Sequence, residues 1–158
     1  MEKPLDGEAF RSYVERFALA LAGMGLQPMA ARVLALFVCA DETALTPSDI
    51  SSRLGVSPAA VSGAVQMLSQ AGLVERVPAP GSRRRHLRLA GDAWTGAGTV
   101  KQEVFVAMAG LASDGLDVVP EDGPASERLA GMRDFYAFLA EEMPSLLERW
   151  AARSRSRL

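Results

Sequence analysis

The sequence has few of the residues from which metal centres, redox sites and catalytic sites are usually built. Its 158 residues include one cysteine, Cys39, and one histidine, His86. A single cysteine excludes an intrachain disulfide framework. Without a cluster of Cys and His we expect no metal site. Because the chain also lacks a glycine-rich phosphate-binding loop, we expect neither an enzyme nor a bound cofactor.

Cys39 has two interpretations. A redox sensor needs a lowered thiol pKa, which a neighbouring cation usually provides. Cys39 stands near the end of the apolar run Val33–Ala40, where it has no basic neighbour. The sequence therefore favours a buried structural thiol, which behaves as a small apolar side chain.

Long apolar runs are also missing. No run is long enough to span a bilayer, and the start, MEKPLDGEAF, lacks the apolar segment of a signal peptide. We therefore expect a cytoplasmic protein without membrane contact. Aromatic residues make up only 6% of the chain, whereas apolar residues make up 49%. This composition favours a helical protein, and the length is sufficient for one domain, residues 1–158.

The chain as a whole has no excess of positive charge, since its net charge is −2. The distribution is uneven, however. Residues 46–90 contain six arginines against Asp49 and Glu75, a local charge of +4 that leaves −6 for the remainder. A basic face on an otherwise acidic protein suits a nucleic-acid partner, because the acidic remainder limits non-specific binding.

Two helix starts follow each other closely in this basic region. In each, a hydroxyl residue precedes a proline: Thr46-Pro47, with Asp49 in the first turn, and Ser57-Pro58. The hydroxyl accepts a hydrogen bond from a helix N–H, and proline at the first helical position lacks an N–H that would otherwise go unpaired. Gly55 stands between the two starts, so the pattern predicts two short helices joined by a tight turn.

The second of these helices, residues 58–71, has two unlike faces. Apolar residues recur at helical spacing on one side, at Val61, Ala64, Val65 and Leu68. The other side has small or amide side chains, which can approach a base-pair edge closely and form hydrogen bonds there. The alternative is an ordinary solvent-exposed face, with Ser57 acting only as a helix cap. The candidate DNA-contacting residues here are Ser57, Ala59, Ala60, Ser62, Gly63 and Gln66.

A basic hairpin follows this helix. Strand-like runs at Leu73–Val77 and Arg85–Leu89 are joined by a segment rich in Pro, Gly and Arg. If Leu87 and Leu89 face the core, His86 and Arg88 face outward. The candidate DNA contacts of this wing, residues 78–86, are Arg83, Arg84 and Arg85. The alternative for them is a solvated basic surface.

Two short helices and a basic hairpin form a winged helix-turn-helix. The segment SPAAVSGAVQMLSQAGLVERVPAPGSRRRHLRL resembles the MarR family of bacterial transcription regulators, in particular its glycine-betaine-regulator-like actinobacterial branch. The resemblance implies major-groove reading by helix 58–71 and backbone or minor-groove contact by the wing. The family commonly has an Asp-Arg pair in the wing. Here Gly81-Ser82-Arg83-Arg84 stands at that place without the Asp, and Arg83 and Arg84 are the expected minor-groove residues.

Further helices are predicted on both sides of this core. Asp6, at the end of an arm formed by residues 1–6, would cap the first helix. Pro144 lies inside the last helix, where proline predicts a kink or a break near Met143. The basic tail RSRSRL is expected to be disordered. The predicted elements are helices Gly7–Met24, Pro28–Ala40, one that starts after Gly91-Asp92, and Pro124–Arg153, with a short strand at Ala44–Thr46 and a loop at Ser113–Gly123.

The expected fold is therefore mainly α with a small β-hairpin wing. A winged helix-turn-helix core, residues 28–90, would carry a helical dimerisation region at 7–25 and 92–153. The apolar stripes of the flanking helices are too long for one small domain to cover. This favours a homodimer, whose two-fold axis would set the reading helices about 34 Å apart on a pseudo-palindromic operator in double-stranded DNA.

The resemblance also implies a repressor relieved by a small-molecule effector. Four candidate pocket residues are Phe17, Trp94, Met108 and Tyr136, although dimer core is the alternative for each. A different function class also remains open: a winged-helix module that binds proteins and not DNA.

Overall fold

The computed structural model describes residues 7–91 and 93–156, and for residues 95–100 only the backbone. It confirms the predicted fold class, a mainly helical chain with one antiparallel hairpin. The chain divides into two compact units, Met1–Ala93 and Trp94–Leu158. The elements in order are α1 (Glu8–Gly23), α2 (Pro28–Cys39), α3 (Pro47–Leu54), α4 (Pro58–Gln70), β1 (Val74–Val77), β2 (His86–Leu89), α5 (Ala93–Leu116) and α6 (Pro124–Arg155).

Local capping explains where α3 and α4 begin. Thr46 Oγ1 accepts a hydrogen bond from the Asp49 N–H at 3.2 Å, and the Asp49 carboxylate accepts one from the Thr46 N–H at 2.8 Å. This reciprocal capping box satisfies two N–H groups that the helix cannot pair. Gly55 ends α3 with φ of 63°, a left-handed conformation that glycine adopts without a Cβ penalty. Ser57 caps α4 by accepting from the Ala60 N–H, so both predicted helix starts are confirmed.

The core of the first unit lies around α2, which packs against α1 and α4. Its side chains are buried nearly all round. The predicted strand at Ala44–Thr46 is reduced to a single bridge, in which Leu45 and Leu87 exchange backbone hydrogen bonds of 2.8 and 2.9 Å. The largest fully buried side chains are Leu36, Leu45, Ile50, Leu68, Leu87, Val33 and Val61.

The N-terminus of α1 differs from its prediction in one respect. Its N-cap residue is Gly7, which makes no side-chain cap hydrogen bond. The predicted cap Asp6 and the predicted arm, residues 1–6, lie outside the described residues.

The second unit corrects two predictions about where helices end. The loop predicted at Ser113–Gly123 starts too early, because α5 continues to Leu116. A Cβ on Gly115 would lie 3.0 Å from Leu129 Cδ1, so glycine allows α5 to pack closely on α6. That packing outweighs the weak helix propensity of Ser113 and Gly115.

Helix α6 is longer and more continuous than predicted. It passes through Pro144 without a break, since strong helix formers stand on both sides of the proline. The tail prediction is wrong for Ser154 and Arg155, which belong to α6. Arginines suit the negative end of a helix dipole, and the Ser154 hydroxyl donates to the Trp150 carbonyl at 3.1 Å. Residues 157–158 lie outside the described residues.

Much apolar surface of the second unit is exposed. No described side chain of α6 is buried. Phe135 and Phe138 in α6 are 57% and 58% exposed, and Leu111 in α5 is 63% exposed. Several large apolar side chains exposed on two helices of one unit are typical of an interaction surface.

Candidate nucleic-acid interface

Helix α4 presents the face that the sequence predicts. Ala59, Ser62, Gly63 and Gln66 are exposed, whereas Ala60 is half-buried and therefore stands at the edge of this face. The opposite side packs into the core through Val61, Ala64, Val65 and Leu68. Ser57 is exposed and uses its hydroxyl oxygen to cap the helix. The exposed side chains are short apart from the amide of Gln66, so the backbone of α4 is accessible to a flat partner.

The wing is built on a tight turn. The Ser82 N–H donates to the Ala79 carbonyl at 3.0 Å, and Gly81 has φ of 82°. Pro80 and Gly81 at the two central positions are typical of a type II turn, which requires a positive φ at its third residue. The Ser82 hydroxyl oxygen then accepts from the Arg84 N–H and lies 3.1 Å from His86 Nε2. These bonds hold the segment that carries the three wing arginines, all of which are exposed.

Ion pairs separate the arginines of the first unit into two groups. Arg32 pairs with Glu15 at 2.6 Å, Arg88 pairs with Glu75 at 2.6 Å, and Arg53 pairs with Glu42. The hydrogen bond from Arg53 is the main reason that the pKa of Glu42 is lowered. In contrast, six arginines of the first unit have no carboxylate partner among the described residues. Two of them, Arg11 and Arg16, lie on α1, and the other four are grouped on the hairpin: Arg76, Arg83, Arg84 and Arg85.

The wing charge also reaches the capping box. The pKa of Asp49 is lowered, first by the hydrogen bond from the Thr46 hydroxyl and then by the Thr46 N–H. The positive charges of Arg53 and Arg84 lower it further. Arg84 therefore lies close enough to α3 for its charge to act there.

Two concave surfaces flank α4. One, of about 410 Å³, lies between α4, the start of α3 and the wing, and is lined by Thr46, Pro47, Ser48, Val61, Ser62, Val65, Arg84 and Arg85. The other, of about 420 Å³, lies between α4 and the hairpin. We call it the hairpin groove, and its lining residues are Ser62, Val65, Gln66, Ser69, Val74, Glu75, Arg76, Arg85 and Leu87.

Three residues that line these two concave surfaces were not predicted from the sequence: Ser48, Ser69 and Arg76. Ser48 and Ser69 carry no distinctive signal. Arg76 could have been found from strand alternation, because Val74 two residues earlier faces the core.

The predicted effector residues lie in two different units. Phe17 is half-buried on α1, with its ring 6.2 Å from that of Tyr13. In the second unit, Tyr136 lies 5.9 Å from Phe105, Met108 is half-buried, and Trp94 is 53% exposed. A pocket formed by all four stays a prediction.

A separate cleft of about 510 Å³ lies within the first unit, between α1, α2 and the end of α3. Arg32 spans it by donating to Glu15 on α1 and to the Leu54 carbonyl on α3, at 2.6 and 3.1 Å. The lining residues are Phe10, Arg11, Val14, Glu15, Arg32, Leu36, Ser52, Arg53 and Leu54.

Other chemistry has little support in the described residues. Cys39 is half-buried, and burial raises the pKa of its thiol, which reduces the reactive thiolate. Residues 7–91 and 93–156 contain no group of His, Cys, Asp and Glu arranged to hold a metal ion. Across the same ranges, no helix combines the length and the apolar character needed to cross a membrane.

Comparison with known proteins gives a consistent result for both units. Residues 24–85 match the profile of the MarR family, and residues 92–153 match that of the MmpR5-like MarR family transcriptional regulators. The HTH-type transcriptional regulator MmpR5 of Mycobacterium tuberculosis is 26% identical over 143 residues, which cover 90% of this chain and 87% of that protein.

The similarity extends to solved structures. A crystal structure described as a transcriptional regulator superposes with a TM-score of 0.79 at 25% identity, over 89% of this chain and 97% of the other. The apo form of MarR from E. coli has a TM-score of 0.43 at 22% identity, over 65% of this chain and 77% of the other.

Proposed function

This chain belongs to the MarR family of transcriptional regulators, and on that premise we propose that it is a homodimer that binds a pseudo-palindromic operator in double-stranded DNA. The predicted family is thereby confirmed, and the mycobacterial relative is consistent with the predicted actinobacterial branch. In this proposal α4 enters the major groove, the wing contacts backbone and minor groove, and the wing arginines that enter the minor groove are Arg83 and Arg84.

One observation carries this proposal. Of the six arginines of the first unit that lack a carboxylate partner among the described residues, four lie together on the hairpin, next to the exposed face of α4. Unpaired guanidinium groups can neutralise phosphates without first breaking an ion pair. The adjacent face of α4, with Ser62, Gly63 and Gln66, offers a backbone and an amide for base-edge contact.

The proposed dimer rests on the exposed apolar side chains of α5 and α6. Leu111, Phe135 and Phe138 would remain in water in a monomer. Pairing these helices across a two-fold axis would bury them, at roughly 25 cal/mol per Å² of apolar surface removed from water. The same axis would duplicate α4 for two successive major grooves, about 34 Å apart.

We further propose that the protein represses transcription and that a small effector relieves the repression. An effector acts only if it binds one dimer shape better than another. The place proposed for it is the cleft spanned by Arg32 within the first unit. The four predicted residues Phe17, Trp94, Met108 and Tyr136 stay a prediction, because they belong to two units. A chromosomal operator would also place the protein in the cytoplasm, as the sequence predicts.

The test combines mass determination with selection of DNA sites. Light scattering should give twice the mass of the chain. Selection from a random duplex library should return a two-fold symmetric sequence, bound with a steep dependence on salt. A monomer, or a dimer that binds no duplex at low salt, would contradict the proposal. The second outcome would favour a winged-helix module that binds proteins.

A further inference from the structure

Arg76 lies on the inner face of the hairpin. The strand register pairs Arg76 with Leu87 and Val74 with Leu89, and residues paired in this way point to the same side of a hairpin. Leu87 and Val74 are 2% exposed because this side packs against the core. Arg76 shares that side but is exposed, and no carboxylate of the described residues pairs with it.

Arg88, on the neighbouring strand, differs from Arg76 in having a carboxylate partner. Arg88 stands opposite Glu75 on the outer side of the hairpin and forms an ion pair with it at 2.6 Å. The two arginines are on adjacent strands and carry the same charge, yet only Arg88 is neutralised within the chain. An unpaired charge on the core-facing side of a strand stabilises the protein little by itself, and it stays available to a ligand on that side.

Arg76 faces the hairpin groove. Its floor is apolar and buried, formed by Val65, Val74 and Leu87, while Arg76 and Arg85 stand on the hairpin side. The α4 side carries the hydroxyls of Ser62 and Ser69 and the amide of Gln66. Glu75 is the one carboxylate among the lining residues, and Arg88 compensates its charge. The groove thus presents two unpaired cations and several donors, which is a suitable environment for an anion.

We propose that Arg76 binds one phosphodiester of the operator backbone in the hairpin groove, beside the separate wing contact made by Arg85. This inference rests on the proposed function, because α4 in the major groove would bring a DNA strand along its flank. Gln66 lines the same groove. A phosphate held by Arg76 therefore sets how deeply Gln66 reaches toward the bases, which makes Arg76 a positioning residue.

The first experiment measures the salt dependence of operator binding. Arg76→Gln should lower the magnitude of the slope of log K against log salt by about 0.9, the value for one phosphate contact. Between 50 and 200 mM salt the variant should therefore lose roughly 3.5-fold less affinity than the wild type. Arg76→Lys should keep the slope, because it keeps the charge, although it cannot form the bidentate contact.

Arg88→Gln is the matched control. It removes the same charge from the neighbouring strand and also leaves the Glu75 carboxylate unpaired, so its effect is an upper limit for the effect of net charge alone. Its slope should change by clearly less than that of Arg76→Gln. Equal slopes for the two variants would refute the proposal.

The second experiment locates the contact. Each operator phosphate is replaced in turn by a neutral methylphosphonate. At one position per half-site the wild type should lose about tenfold or more in affinity, the scale of a charged hydrogen bond, and Arg76→Gln should lose almost nothing further. If the losses multiply at every position, Arg76 binds no particular phosphate and the proposal is wrong.

Free phosphate is the competing source of the same chemistry. If inorganic phosphate, at ionic strength matched with chloride, displaced the operator from the wild type but not from Arg76→Gln, the groove would be a site for the free anion. That result would also overturn the proposal. A wild type that binds no operator would instead refute the proposed function, so the two failures are distinguishable.

Discussion

We expect that glycine at position 63, compared with alanine, lowers the stability of the fold and raises the affinity for DNA. It stands inside α4, where glycine is less stable than alanine by roughly 0.5–1 kcal/mol. Its φ is not positive, and a Cβ added to it would meet no atom within 4 Å. Neither backbone conformation nor packing within the described residues therefore requires glycine at this position.

Gly63→Ala should accordingly raise the free energy of unfolding by roughly 0.5–1 kcal/mol, which corresponds to a few degrees in melting temperature for a chain of this size. The same methyl group would stand between the backbone of α4 and the base edges. Overpacking of a fitted contact costs roughly 1–3 kcal/mol, so operator affinity should fall about 5- to 150-fold.

Thermal unfolding and fluorescence anisotropy with a labelled operator measure the two effects. Gly131→Ala is the control, because Gly131 is also exposed within a helix and its added Cβ also meets nothing. It should give a similar stabilisation with unchanged affinity and unchanged dimer mass. Unchanged or tighter operator binding by Gly63→Ala would show that this face of α4 does not approach DNA closely.

Three further results are expected. Gln66→Ala should relax the preference at particular base pairs, whereas Arg84→Ala should weaken binding to all duplexes alike; equal losses on operator and random DNA in both variants would reject this division. The pKa of Asp49 is lowered in the folded protein, so its ionised cap stabilises the fold fully at pH values above the usual pKa of 3.8. This stabilisation is lost as the pH falls through the lower pKa of the folded protein. Asp49→Asn should therefore cost about 1 kcal/mol near neutral pH, and denaturant titrations should show this difference shrinking in acid. Phe138→Glu should place a charge on the proposed dimer surface, and light scattering should then find monomers that bind a half-site weakly; an intact dimer would exclude Phe138 from the interface.

The elements that could be predicted from the sequence depend on interactions between near neighbours in the chain. Thr46, Ser57 and Gly55 act within one helical turn, so their residue types are sufficient to locate the ends of α3 and α4. The wing turn at Pro80-Gly81 is equally local. The exposed face of α4 follows from helical spacing alone.

The incorrect predictions concern helix ends, where the propensity of one residue competes with interactions beyond that residue. Pro144 and Gly115 are weak helix formers, and local propensity alone would end a helix near each of them. Around Pro144 the strong helix formers on both sides continue α6, whereas near Gly115 the helix continues because α5 packs closely on Leu129 of α6. Propensity differences of about 1 kcal/mol are smaller than such packing energies.

The sequence by itself determined the capped helix pair, the basic hairpin and the small-residue face of α4, because each depends on a few adjacent residues. Only the tertiary structure decided which arginines remain available to a ligand. Arg88 and Arg76 look alike in the sequence, but the strand register pairs Arg88 with Glu75 and turns Arg76 toward α4. Ion pairs form between residues distant in sequence, so the distribution of free charge depends on the folded arrangement of the strands and not on residue counts.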